Sequence, residues 1–158
     1  MSAVIWAATL TSKGAAGPRT KKNHGRIVTV GKRQHMLPSE QYEAWEGALR
    51  FTPELPALHL ARWTTYRRMS NKEKARHREV AGDMPALLPA RPMNCRALIW
   101  LDREWAGDAV GYYQAVADAL QAWGVIPNDR HIRSWDGSRV RVDHLNPRVD
   151  VTLTEYVE

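Results

Sequence analysis

Three aspartates, Asp108, Asp118 and Asp129, are the residues of this chain whose type and spacing best suit chemistry. Positions 108, 111, 114 and 118 step by three, three and four residues, which on a helix lines them along one stripe. That stripe carries Asp108, Gly111, Gln114 and Asp118; the opposite one carries Ala109, Tyr113, Val116, Leu120 and Trp123, a core-facing set. Asp129 joins the acids if the loop after Gly124 folds back toward the helix start. Oxygen ligands gathered in this way suit a hard cation such as Mg²⁺, which keeps several waters and takes one or two carboxylates. In a basic protein, an acid cluster of this kind suggests a metal ion meeting a phosphate, so the candidate chemistry is metal-dependent nuclease chemistry. A plainer reading stands beside it: an aspartate before a helix is a common N-cap, and Asp118 alone is an ordinary surface residue.

The elements that must position these acids are legible in outline. Asp108 is placed to cap a helix running to Trp123, and Gly124 to end it just past the C-cap. Residues 125–129 read as a loop. Strands follow at 131–135, 139–143 and 149–156, separated by the turns Asp136-Gly137-Ser138 and His144-Leu145-Asn146-Pro147. Upstream, strands are expected at 4–11, 26–30 and 93–101, the last of them central. Residues 13–25, with three glycines and a proline, read as a loop, and Gly31-Lys32 as a turn. Pro38-Ser39 opens a helix whose Tyr42, Trp45 and Leu49 share a buried face, and Pro53 and Pro56 end it. Ser70-Asn71-Lys72-Glu73 is a capping box, predicting a helix over 71–81. The proline-rich stretch 85–92 reads as a linker inside the domain. The expectation is one α+β domain over 1–158, with a mixed or largely antiparallel sheet and two to three helices.

The chain has 158 residues, enough to bury a real core, and no apolar run long enough to span a membrane. Its start lacks the pattern of a secretory signal, and its one cysteine, Cys95, excludes an intrachain disulfide and a cysteine-rich zinc site. An intracellular protein fits this best. The net charge of +6 favours nucleic acid as a partner. Basic residues concentrate at Arg19, Lys21, Lys22, Arg26, Lys32 and Arg33, and again at Arg62, Arg67, Arg68, Lys72, Lys74, Arg76 and Arg78. The second group reads equally as a nucleic-acid surface or as a solvated helix face. The six histidines lack zinc-ligand spacing. His24 and His131 are candidates for a general base or for plain polar surface. Cys95 reads as a small core residue. Of the tryptophans, Trp105 precedes Asp108 in a loop and is either a packing residue or a platform for an unpaired base.

Taken together the pieces resemble the RusA family of Holliday junction resolvases, its phage-type members above all. The resemblance runs in order from Pro18-Arg19-Thr20-Lys21-Lys22-Asn23 and Leu37-Pro38-Ser39, through Tyr42 and Trp45, to Asp108. It continues with Asp118-Ala119-Leu120, Gly124-Val125-Ile126 and Asp129, and closes with Asp136-Gly137-Ser138-Arg139-Val140 and Asn146-Pro147-Arg148. It implies a RusA-like homodimer that uses Mg²⁺, with Mn²⁺ as a possible substitute, to nick four-way DNA junctions at two symmetric sites in recombination and repair. A two-fold dimer suits a roughly two-fold junction. By motif, Asp108 and Asp129 would be the metal-binding catalytic carboxylates, with Asp118 as a supporting or structural residue. Lys21, Lys22, Arg130 and Arg139 would meet the DNA backbone. A cytoplasmic protein, encoded by a phage or prophage, is the implied setting, and residues at about 52–92 look like a helical basic insertion.

Four positions depart from the family pattern. Val110 stands where the better-known branch has a second aspartate, Gly111 where asparagine is common, and Gln114 where lysine or glutamate is common. Asn128 precedes Asp129 where members often carry a pair of aspartates. Fewer charged ligands remain. The alternatives are therefore a catalytically weak or inactive relative that binds branched DNA, and an unrelated basic α+β protein that binds RNA or another protein.

Overall fold

Between residues 93 and 101 the chain alternates strictly. Met93, Cys95, Ala97, Ile99 and Leu101 are at most 1% exposed, whereas Asn94, Arg96, Leu98 and Trp100 face the other way and reach solvent. Such period-two burial makes a strand with one face on a core. The molecule, a computed structural model, is described over residues 3–12, 26–30, 33–37, 40–81, 84–104 and 108–157, with backbone alone at 26–37. Its elements are β1 (Val4–Ser12), β2 (Arg26–Val30), β3 (Arg33–Leu37), α1 (Glu40–Gly47), β4 (Leu49–Thr52), α2 (Ala57–Arg68) and α3 (Asn71–Ala81). There follow β5 (Met93–Leu101), α4 (Ala109–Ala122), a 3-10 turn (Asp129–His131), β6 (Ile132–Ser134), β7 (Arg139–Val142) and β8 (Arg148–Glu155).

The result is an α+β domain whose main sheet runs β4-β1-β8-β5-β6, with β7 also on β5. It is mixed: β8 lies antiparallel to β5 and β1, while β6 and β7 lie parallel to β5. β2 and β3 form a separate antiparallel pair. β6 and β7 share one edge of β5, pairing Asn94 with Ser134 and Leu98 with Arg139, so the stretch between carries one residue more than the strand it faces. The Ser138 hydroxyl fills that gap. It accepts from Ala97 N at 2.9 Å and donates to Cys95 O at 3.1 Å, standing in for a ladder partner. Gly137, at φ 79°, allows the turn to lie against the Arg96 stem.

The core fills the space between the inward rows and the helices. Trp45 of α1 and Val116 and Leu120 of α4 pack with Leu10, Val149 and Leu153, each at most 1% exposed. Burying each large side chain contributes about 1.5–3 kcal/mol. α4 is capped at both ends. Asp108 Oδ1 accepts from Gly111 N at 2.8 Å. At the other end Val125 N reaches Leu120 O at 2.8 Å and Gly124 N reaches Gln121 O at 3.0 Å, with Gly124 at φ 68°. This is a Schellman stop, which needs the left-handed residue that glycine supplies.

Several expectations need correction. Four α-helices stand among the described residues, not two to three. Leu49 does not continue α1: with Phe51 it forms the buried row of β4, an alternation that took over once the helix ended at Gly47. The buried face of α4 is Tyr112, Ala115, Val116, Ala117, Ala119 and Leu120, broader than the expected set and turned from it. Tyr113 instead stacks on Trp135, ring centroids 5.2 Å apart. The region 52–92 holds two helices, of which only α3 was expected; its capping box is present, Ser70 N donating to Glu73 Oε2 at 2.7 Å. α2 docks through Trp63 Nε1, which donates to Ala122 O at 2.6 Å, and through His59 Nε2, 3.1 Å from Trp123 O. The proline-rich segment is also anchored: Leu87 N and Leu88 N donate to the carbonyls of Gly124 and Val125. No helix among the described residues is long and apolar enough to cross a membrane.

Candidate functional site

On the half-buried flank of α4, Gln114 and Asp118 lie one turn apart. The chain leaves the Schellman stop, folds back, and brings Asp129 to the same flank. Gln114 Nε2 donates to Asp129 Oδ2 at 3.0 Å and to Asp118 Oδ1 at 3.3 Å. With two carboxylates in front of it, the amide must present its nitrogen, since its oxygen would be a third acceptor facing two. A neutral side chain thus holds two like charges together.

Gln121 completes the stripe one turn further on. Its Oε1 accepts from Asp129 N at 2.8 Å and fixes the loop to the helix. Asn128, whose side chain accepts from Arg130 N at 3.1 Å, caps the 3-10 turn. Sequence reading passed over Gln121, although 114, 118 and 121 share the i, i+4, i+7 spacing that should have drawn it in. Asp108 heads the same stripe as the N-cap, exposed, and its second oxygen makes no hydrogen bond with a described residue. Six residues of helix, about 9 Å of axis, separate its level from that of Gln114. The loop therefore meets α4 at its middle, and the acids drawn into one hydrogen-bonded group are Asp118 and Asp129.

Asp118 also borders a cavity of about 420 Å³ between α1, α2 and α4, lined by Tyr42, Glu46, Trp63, Arg67 and Gln121 among others. Burial, reinforced by the charges of Asp118 and then Glu46, pushes the Tyr42 hydroxyl well up from its ordinary pKa. Arg67 offsets part of this. It pairs with Glu46 at 2.6 Å and lies 4.8 Å over the Trp123 ring. One member of the basic 60–81 group thus serves packing, while Lys72, Arg76 and Arg78 of α3 remain exposed. Burial raises the Cys95 thiol, leaving it a core residue without nucleophilic character.

Among the described residues no group of three or more His, Cys, Asp or Glu side chains is arranged to hold a metal ion. The donors present are nonetheless of the right kind for Mg²⁺: two carboxylates, and an amide whose oxygen enters the same space if the group turns over. His131 stands in the 3-10 turn beside Asp129, half-buried. Arg130 is exposed on that turn, and Arg139 is exposed on β7. Lys21, Lys22, His24 and Trp105 lie outside the described residues. No protein-family model matches this chain, and no curated protein matches it.

Proposed function

We propose that the protein is a RusA-like, Mg²⁺-dependent endonuclease that works as a homodimer on four-way DNA junctions in the cytoplasm. The observation that carries this reading is the return of Asp129 onto the polar stripe of α4, where it shares the Gln114 amide with Asp118. Carboxylates from two separate stretches of chain on one accessible flank, in a protein of net charge +6, suit a cation that meets phosphate. When bound, Mg²⁺ or Mn²⁺ supplies an activated water and offsets charge on the phosphate. Asp118 and Asp129 would hold the ion, Asp108 stands farther up the same stripe as the helix N-cap, and Gln121 keeps the Asp129 loop in place. Arg130, Arg139, Lys21 and Lys22 engage the backbone without reading sequence.

A second reading, a non-cutting relative that binds branched DNA, is favoured by the neutral Gln114 amide between the acids and by Val110, Gly111 and Asn128. Cleavage of a labelled four-way junction, with a linear duplex control, in Mg²⁺ and in chelator, separates the two. Paired symmetric nicks that need metal support the nuclease. Junction-selective binding without nicks, in Mn²⁺ as well, supports the non-cutting relative. Asp118→Asn and Asp129→Asn should each abolish cleavage and leave junction binding intact; normal cutting by either would remove the site from consideration.

A further inference from the structure

We infer that the outward face of the sheet carries a second nucleic-acid contact, a cationic groove that grips a phosphate backbone on the side of the sheet away from the acids. The inference rests on the nucleic-acid reading above but not on cleavage. β5 turns Arg96, Leu98 and Trp100 outward, and the parallel register sets Arg139 beside Leu98 and Arg141 beside Trp100. These residues and Gly137 line a groove of about 490 Å³. α4 packs on the inward row of the same strand, so the sheet lies between the groove and the Gln114 group.

Charge identifies the occupant. Arg96, Arg139 and Arg141 are exposed and none forms an ion pair with a described residue, while Asp150, beside Leu98 on β8, is engaged by Arg148 at 3.3 Å and by Trp100 Nε1 at 3.2 Å. Three like charges meeting their copies across a two-fold axis would repel, which disfavours a second copy of this chain. Guanidinium groups above an apolar floor of Leu98 and Trp100 fit a polyanion, and arginine presents its donors in a fork that matches phosphate. The walls are fixed in advance. Asp136 N donates to Asn94 Oδ1 at 3.0 Å, and Ser138 bonds β5 on both sides, so the turn beside Arg96 is pinned to the strand. Neither Arg96 nor Arg141 was singled out by sequence reading.

The test is binding of a labelled four-way junction and a linear duplex in chelator, across a range of salt, followed by anisotropy. The variant is Arg96→Gln with Arg141→Gln, which keeps the side-chain stems and removes the charge; Arg96→Lys with Arg141→Lys restores the charge. We expect the glutamine variant to bind roughly tenfold more weakly and to lose about 2 from the slope of log K against log salt, with the lysine variant near wild type. Unchanged affinity and slope in a folded glutamine variant would overturn the inference, as would a wild-type protein that binds neither DNA. A loss confined to a polyglutamate probe would assign the groove to acidic protein and overturn it too. The two proposals fail separately. A protein that cuts, and whose glutamine variant binds normally, keeps the nuclease and loses the groove; one that never cuts, and whose variant loses binding, does the reverse.

Discussion

The acids of α4 and the arginines of the outward sheet face are assembled by opposite means. Asp118 and Asp129 are drawn together, each accepting from one neutral amide, and Asp129 is held by a second glutamine through its backbone. Arg96, Arg139 and Arg141 are held apart by strand geometry, on neighbouring strands about 4.8 Å apart and at alternate residues along one of them. Gathering like charges requires an intermediary, and that intermediary becomes a point of control. Spacing them along a ladder requires none, so the load is shared. Single substitutions should therefore be severe at the acids and graded at the arginines.

The largest expected effect is at Asp129. Asp129→Asn should lower junction cleavage by more than the 10–100-fold typical of residues one step behind a metal ligand, with the dissociation constant for the junction unchanged. Groove substitutions should give the converse, weaker binding with an unaltered rate on saturating junction. If both sets change both quantities, the two regions are not separate. Next is Gly124→Ala. A methyl group there would overlap the Trp63 ring, and φ 68° is unfavourable for alanine. The sum is about 2–4 kcal/mol, read as a fall in Tm of roughly 5–15 °C, while a duplex bound to the folded fraction keeps its salt slope.

Smaller effects sharpen the contrast. Gln121→Ala removes the acceptor for Asp129 N and should cost about 1 kcal/mol of stability. Cleavage should fall while junction affinity holds. Gln114→Lys or Gln114→Glu should raise cleavage if the neutral amide is what weakens the acid group; no change in either would assign that role to another residue. The smallest effect concerns Asp143, whose carboxyl is held below its ordinary pKa first by the hydrogen bond from Arg148 and then by the Asn146 backbone. A depressed folded pKa means the stabilisation is present above the unfolded value near 3.9 and is lost as pH falls through the folded one. Carboxyl-resolved NMR titration should find Asp143 low, and Arg148→Ala should move it up toward the ordinary value.

Local signals made parts of this fold legible. The ends of α3 and α4 are written in adjacent residues, Ser70 with Glu73 and Asp108 with Gly124, and both helices lie where the sequence put them. The alternation in β5 is equally local. α2 was missed because it fully buries no residue, and its anchors, His59 and Trp63, act on carbonyls of α4 some 60 residues away. Leu49 misled because its spacing from Tyr42 and Trp45 fits a helical face, whereas its true partner is Ser12 across a β ladder. At the acids, the sequence pointed to Asp108 and Asp129, with Asp118 in support, and to a return of Asp129 toward the helix start beside Asp108. It is Asp118 that shares the Gln114 amide with Asp129. The sequence did not show that the loop meets the middle of α4, since that depends on how sharply the chain turns after Gly124 and on Gln121 catching Asp129 N. The groove was illegible for a related reason: Arg96 interrupts an apolar run, and only the parallel register with β7 gives it companions.

The interruption between β6 and β7 bears on how the protein behaves at high concentration. A long, flat outer strand presents a row of unused amide and carbonyl groups to any other chain and invites end-on pairing into aggregates. Here the margin of the sheet is cut into pieces of three and four residues. A turn projects between them with its own polar groups already engaged by β5. At the opposite margin β4 is only four residues long. Among the described residues neither border of the main sheet offers a long continuous template, which disfavours end-on pairing through that sheet.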